Sequence, residues 1–362
     1  MPNSVACGID IGDSTSLASV YSKAGELVDR FEFEMNSEGY ELASKRVPME
    51  AGIACEATLM TYPLVKALEG RGHRVTVANP KQLKWIVESR KKNDRVDSEK
   101  LARLLMVGML PEAHLLSEEE RLKRDLLVQR VTLGKEVGRM KTRVLSYLKR
   151  EGVNEFLPQT DDNYSVARRK AIRSFSFGDK RDVVLRTMMD RLDFLEGQCG
   201  PLEEEIRGFA KESDDVRLLM TIRGVDFYSA ALYSSVVGDV NRFPSGDRLA
   251  SYLGIIPAQH ESSGVKRMGR MSKEGIPLGR WVLDVMAGNA INFNPAIRQY
   301  YLSALNRTGR AKKARVLTMR KMERMTYHML KSREPWRYED RGLTERKLSR
   351  LDGGGDQEGG EP

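Results

Sequence analysis

Val5-Ala6-Cys7-Gly8-Ile9-Asp10-Ile11-Gly12 is an apolar run broken by a single acid, with Asp13 just beyond it. A short continuous apolar run bounded by glycine reads as a buried strand. An acid at the end of such a strand is costly to bury alone and must be paired or hold a metal. Working outward, Glu56 closes a second apolar segment, Ile53-Ala54-Cys55-Glu56, and Asp94 and Asp97 sit three apart after Arg90-Lys91-Lys92. Read together, the four acids point to a divalent-metal site of the nuclease kind. A second reading stays open, in which Asp10 caps a turn and the others are surface acids, because the chain holds 51 Asp and Glu.

Around these acids the periodicity predicts strands at 5–10, 15–22 and 26–34, with Lys23-Ala24-Gly25 turning between the last two. A short helix over 37–46 precedes the buried strand at 53–56. Leu59, Tyr62, Leu64, Val65 and Leu68 then recur at helical spacing, and Arg74 to Ala78 is the next strand. Asn79-Pro80 starts one helix, and Asp94 or Asp97 another. Three adjacent strands followed by strand–helix alternation predict an α/β domain, a mixed sheet with helices on both sides.

The 362 residues suffice for two or three domains, and 40% apolar with 31% charged residues is the composition of a globular protein rich in exposed helix. A formal charge of +9 favours polyanionic partners. Cys7, Cys55 and Cys199 form no CxxC pair, which argues against a disulfide framework or a cysteine zinc site. No signal-like start and no membrane-length apolar stretch is present, so a cytoplasmic protein without membrane contact is expected.

From Ser117 to Glu151 the apolar positions Leu122, Leu126, Leu133, Val137, Met140, Val144 and Leu148 form a narrow seam, as in a coiled coil. A similar stripe runs from Leu185 to Ile206, so a helical hairpin or a pair completed by another subunit is expected. Leu218 to Leu232 reads as helix, turn, helix and partly matches a helix-hairpin-helix, with Asp226 where a second glycine is usual, a negative charge where a phosphate would lie. Next, Ser262, Ser263 and Gly264 stand among Lys266, Arg267, Arg270 and Lys273, a basic loop able to hold a phosphodiester beside a serine, or equally a flexible loop that contacts nucleic acid and does no chemistry. His260 lies nearby, though no convincing base is evident. Arg280 edges a helix over 278–291, and Lys312, Lys313 and Arg315 decorate another; a solvated face explains that run as well as a nucleic-acid face does. Four parts follow: 1–112, a helical arm at 113–210, a mainly helical domain with the serine loop at 211–335, and a polar tail at 336–362 expected to be disordered.

Several motifs carry a resemblance. They are Gly8-Ile9-Asp10-Ile11-Gly12, Glu56-Ala57-Thr58, Gly72 to Pro80, and Asn93-Asp94-Arg95-Val96-Asp97-Ser98. Farther on come Thr221 to Val225, Gly254-Ile255-Ile256-Pro257, Ser262-Ser263-Gly264 and Ile276 to Arg280. In this order the chain resembles the DEDD-type insertion-sequence transposases, serine-assisted recombinases guided by a bridge RNA. The resemblance implies a ribonuclease-H-like first domain like that of Holliday-junction resolvases, a coiled-coil arm, and a helical domain containing a helix-hairpin-helix-like element. It implies Asp10, Glu56, Asp94 and Asp97 as catalytic acids holding Mg²⁺, and Ser263 as nucleophile with Ser262 as fallback. Donor and target DNA, a noncoding bridge RNA and a homo-oligomer, dimer and then tetramer, are the implied partners. Leu59, Asn93, Ser98, Arg223, Asp226 and Pro277 depart from the common family residues, and none removes a candidate catalytic group. Two other functions remain: a metal-dependent junction endonuclease that activates water, and a non-catalytic nucleic-acid adaptor.

Overall fold

The computed structural model describes residues 5–86, 94–262, 265–271 and 275–353, with backbone alone at 85, 94–95, 257–262 and 265–270. It divides into two compact units, Met1–Ser117 and Glu118–Pro362. Among the described residues no helix is long and apolar enough to cross a membrane.

The first unit opens with an antiparallel meander, β1 (Ala6–Asp10), β2 (Thr15–Tyr21) and β3 (Leu27–Glu34). Helix α1 (Ser37–Arg46) returns the chain to β4 (Gly52–Glu56), and α2 (Thr61–Glu69) carries it to β5 (Arg74–Ala78). Both helices are crossovers, so β4 lies parallel to β1, and β5 parallel to β4. The sheet order is β3-β2-β1-β4-β5. Helices α3 (Pro80–Ile86) and α4 (Asp94–Met106) follow, and residues 111–113 then run back along β5 through a bridge between Ala78 and Glu112. This mixed sheet flanked by helices is the ribonuclease-H-like arrangement that the motifs imply.

Strand alternation assigns the faces. Cys7, Ile9, Ile53 and Cys55 pack with Tyr40 and Ala43 of α1 and with Leu64, Val65 and Leu68 of α2. Ala6 and Ala54 face the other way, against Ala102, Met106 and Leu101 of α4. One expectation fails here: Leu59 is 96% exposed, because α2 begins two residues later, at Thr61.

The second unit begins with the 33-residue α5 (Glu118–Arg150), three acids in its first turn and Lys149 and Arg150 in its last matching the helix dipole. A 3₁₀ turn, α6 (Val166–Ser174), α7 (Arg181–Gly197) and α8 (Cys199–Lys211) follow. The distal half of α5 packs Leu133, Met140, Val144 and Leu148 against Leu185, Met189, Leu192 and Leu195 of α7. Its proximal half places Leu127 and Val131 in the main core with Ile206 of α8. The expected seam is therefore corrected at its start, where Leu122 is more than half exposed.

That main core also gathers α9 (Asp214–Leu219), α10 (Phe227–Val237), α11 (Gly246–Leu253), α12 (Pro277–Phe293), α13 (Pro295–Thr308) and α14 (Ala311–Ser332). Between α11 and α12, strands β6 (Pro257–Ser262) and β7 (Val265–Met271) pair as an antiparallel hairpin where the sequence reads as a loop. The tail expected from residue 336 also needs correction. Helix α15 (Arg341–Asp352) docks through buried Leu351, an Arg217–Asp352 ion pair and Lys347, whose ammonium donates to the Met220 and Ile222 carbonyls. Residues 354–362 lie outside the described residues.

Candidate active site

In the first unit, alternation puts Asp10 on the same face as Ala6 and Gly8, and Glu56 on the same face as Ala54. That is the face α4 covers. Because β1 and β4 are parallel neighbours with Ile9 opposite Cys55, the two acids end adjacent strands side by side. The Glu56 carbonyl accepts from Thr61 Oγ1, which itself accepts from the Thr58 N–H, fixing the turn that follows the acid. Asp13 stands exposed in the turn after β1.

Helix α4 runs antiparallel to β1: Met106 and Ala102 pack near Ala6, and Ser98 lies over Gly8. A Cβ on Gly8 would fall 1.9 Å from the Ser98 carbonyl oxygen, so only glycine admits the helix this closely. Four residues back from Ser98 is about 6 Å of helix, and two residues forward from Gly8 is about 6.5 Å of strand. Asp94, the first residue of α4, is thus level with Asp10 along the sheet. Asp97 lies one helical turn before Leu101, which packs on Ala54 and Ala78.

A buried polar link holds that helix in place. Ser98 and Ser19 hydroxyls lie 2.9 Å apart, Arg30 Nε donates to Ser19, and Arg30 also reaches Glu99 at 4.0 Å. Sequence reasoning missed this link; the only signal was Ser98 standing where alanine is common. Lys100 Nζ sits 3.0 Å from Asp97 Oδ1, so a cation already neutralises that carboxylate. Carboxylate oxygens are hard donors of the kind that suits Mg²⁺. Among the described residues, which exclude the Asp94 side chain, no group of three or more His, Cys, Asp or Glu is drawn together tightly enough to hold a metal.

In the second unit, Ser262 pairs with Val265 as the last rung of the β6–β7 hairpin, and Lys266 and Arg267 pair with Glu261 and His260. Ser263, Gly264 and Lys273 lie outside the described residues, as do the side chains of Ser262, Lys266, Arg267 and Arg270. The base of the hairpin is pinched. Gly254 caps α11 at φ +66°, and a Cβ on Gly275 would lie 2.1 Å from the Gly254 nitrogen. Arg280 Nη1 donates to the Leu253 and Gly275 carbonyls across that pinch, and Arg315 binds the Asp284 carboxylate and carbonyl. Both arginines are thereby held by the fold, whereas Lys312 and Lys313 are exposed on the first turn of α14.

The α9–α10 turn closes on Gly224, whose missing Cβ lets it lie against the backbone of Asn289 in α12. Asp226 is the N-cap of α10, its carboxylate accepting from the Ser229 N–H. The negative charge read in the sequence as opposing a phosphate is therefore committed to the helix end.

Two family models match the chain: a DEDD-type IS110 transposase model over residues 7–152, and the transposase IS116/IS110/IS902 family over residues 216–302. The first match runs from the second residue of β1 through α4 and takes in all four acids; the second contains α10, the hairpin and α12. A Pseudomonas aeruginosa protein named "Probable family 20 transposase" is 32% identical over 92 residues, 25% of this chain and 27% of that protein. The transposase for insertion sequence element IS1111A of Coxiella burnetii is 29% identical over 100 residues, 28% of each chain. The transposase for insertion sequence element IS1533 of Leptospira borgpetersenii is 25% identical over 259 residues, 68% of this chain and 73% of that protein. The first two matches thus span little more than a quarter of those relatives. Taken with the order of motifs, they establish that the chain belongs to the IS110-type, DEDD insertion-sequence transposase family.

Proposed function

We propose that this chain cuts and exchanges DNA strands as the transposase of an insertion sequence, with Ser263 as nucleophile and Asp10, Glu56, Asp94 and Asp97 as ligands of Mg²⁺. The observation that carries the reading is the end of the first sheet. Two adjacent parallel strands finish in acids on the face crossed by α4, and the first turn of α4 bears the other two.

Ser263 Oγ bonds to phosphorus while the bond from phosphorus to a sugar oxygen breaks. The serine proton passes to solvent, and the departing sugar oxygen takes up a proton to leave as a hydroxyl. Attack by a second sugar hydroxyl reverses the step and restores the serine, so one phosphodiester replaces another without a high-energy cofactor. When bound, Mg²⁺ supplies positive charge for the phosphate oxygens. Lys266, Arg267, Arg270 and Lys273 attract the backbone toward the hairpin, and Arg280 keeps the base of the hairpin closed.

The same reading includes a noncoding RNA that pairs with donor and target DNA, and a homo-oligomer in which one subunit's acids meet another's serine. Exposed Leu122 and Val128 on α5, and Val183, Val184 and Phe194 on α7, support a coiled-coil contact with a second copy.

Purified full-length protein incubated with element DNA, its flanking noncoding RNA and Mg²⁺, then resolved with and without protease, tests the chemistry. A protease-sensitive DNA adduct is expected, lost in Ser263→Ala and in Asp10→Asn. Adducts persisting in Ser263→Ala refute the nucleophile, and full activity of Asp10→Asn refutes the metal site. Free 5′-phosphate ends without adduct would favour the water-activating nuclease.

A further inference from the structure

We infer that a cavity beside the base of the hairpin is a slot for one unstacked nucleotide of a bound strand. This rests on the reading that the second unit works on nucleic acid. The cavity, of about 640 Å³ and broadly open to solvent, is formed by α12, α13, α14 and the last residue of β7. That volume is in the range of small-ligand pockets.

Its lining has two chemistries. Trp281 and Tyr301 contribute aromatic rings, with Met271, Val316 and Met319 as apolar surroundings. Arg280, Lys312 and Arg315 contribute three cations against one acid, Asp284. A nucleotide carries the matching pair, a flat ring with apolar faces and an anionic phosphate, and stacking on aromatic side chains is how unpaired bases are commonly held.

The slot is built before anything enters it. Arg315 is fixed by Asp284 through Nε at 2.7 Å and Nη2 at 2.6 Å. Arg280 is fixed by two backbone carbonyls, and Lys135 of α5 sits 5.2 Å from the half-buried Trp281 ring. Pro277 and Ala311, the first residues of α12 and α14, also line the cavity, and neither helix has a side-chain cap. Two partially positive helix ends thus add to the cations. Position argues for a strand rather than a free metabolite: Met271 closes β7 and Pro277 opens α12, so the cavity adjoins the hairpin that bears Ser263.

The test is fluorescence anisotropy with full-length protein and labelled duplexes that are fully paired, carry one bulged nucleotide, or carry one bulged abasic residue, in matched DNA and RNA arms. The bulged base is expected to bind about tenfold more tightly than the abasic bulge. Trp281→Ala should erase that preference while binding to the paired duplex persists, and Trp281→Phe should keep most of it. Whichever arm shows the preference identifies the strand. Equal affinity of wild-type protein for base and abasic bulges in both arms overturns the slot without touching strand exchange, because the Ser263 adduct is read separately. Retention of the preference in both Trp281→Ala and Tyr301→Ala also overturns it. Failure to bind any duplex overturns both the slot and the nucleic-acid reading beneath it.

Discussion

Gly8→Ala probes the link between the sheet and the acidic helix most directly. The added methyl would lie 1.9 Å from the Ser98 carbonyl oxygen and 2.7 Å from the Ala102 nitrogen, both backbone atoms with no rotamer to yield. Reaching even a 3.0 Å contact moves α4 away by about 1.1 Å. The Ser19–Ser98 hydrogen bond, now 2.9 Å, then stretches to about 4 Å, beyond hydrogen-bonding range. Overpacking costs about 1–3 kcal/mol, and the lost buried hydrogen bond about 1 kcal/mol more. For a unit of this size the melting temperature should fall by roughly 5–15 °C. Asp97 moves with Ser98, and a displacement near 1 Å costs roughly 100-fold in rate. Circular-dichroism melting of the full chain and the yield of Ser263–DNA adduct are the readouts. A melting temperature within about 1 °C of wild type, with unchanged adduct yield, would refute the close packing and its role in placing the acids. Gly138→Ala is the control: nothing lies within 4 Å of its Cβ position in α5, and the change should add roughly 0.5–1 kcal/mol of stability.

Asp226→Ala should cost about 1 kcal/mol as a lost helix cap while leaving duplex affinity unchanged; a large gain in affinity would restore the phosphate-repulsion reading. Gly275→Ala forces a methyl against the Gly254 nitrogen and the Tyr252 carbonyl, and adduct yield should drop by about 100-fold with little change in the melting of the first unit. The second unit should be least stable near neutral pH. Burial raises the Glu323 carboxyl from 4.5 to about 7, so the folded chain holds a proton that the unfolded chain releases. That stability is fullest below pH 4.5 and is lost as pH rises through 7. Burial lowers Lys347 from 10.5 to about 8, so its ammonium burdens the fold below pH 8, and stability returns as pH climbs toward 10.5. Melting curves across pH should show the acid limb flatten in Glu323→Gln and the alkaline limb flatten in Lys347→Met; unchanged limbs would refute the assignment.

The first unit is legible in sequence because its central strands are covered on both faces, which leaves continuous apolar runs such as Ile53-Ala54-Cys55. Asp10 and Glu56 interrupt those runs where the strands end, but separating them from 51 acids takes the motif order, and placing them on one face takes the register. Helix α5 is legible as a helix and only partly as a seam. Near neighbours such as Val131 and Leu133 do not declare which enters the main core and which meets α7. The β6–β7 hairpin escapes because His260-Glu261 against Lys266-Arg267 is polar on both strands and shows no alternation. Helix α15 escapes because its docking rests on Leu351 and a few charges at separations above 100 residues, which no local pattern encodes. Trp281 and Tyr301 are separated by a helix end and meet only in three dimensions.

The pinch at Gly254 and Gly275 makes the hairpin a detachable cassette. Both of its ends leave the helical core from adjoining backbone points, held by the Ile276–Tyr252 hydrogen bond and by Arg280. The strands of the hairpin can therefore change in length while the core beneath keeps its packing and the tip keeps its serine. Grafting a foreign hairpin onto this stem would be a matter of matching two neighbouring attachment points.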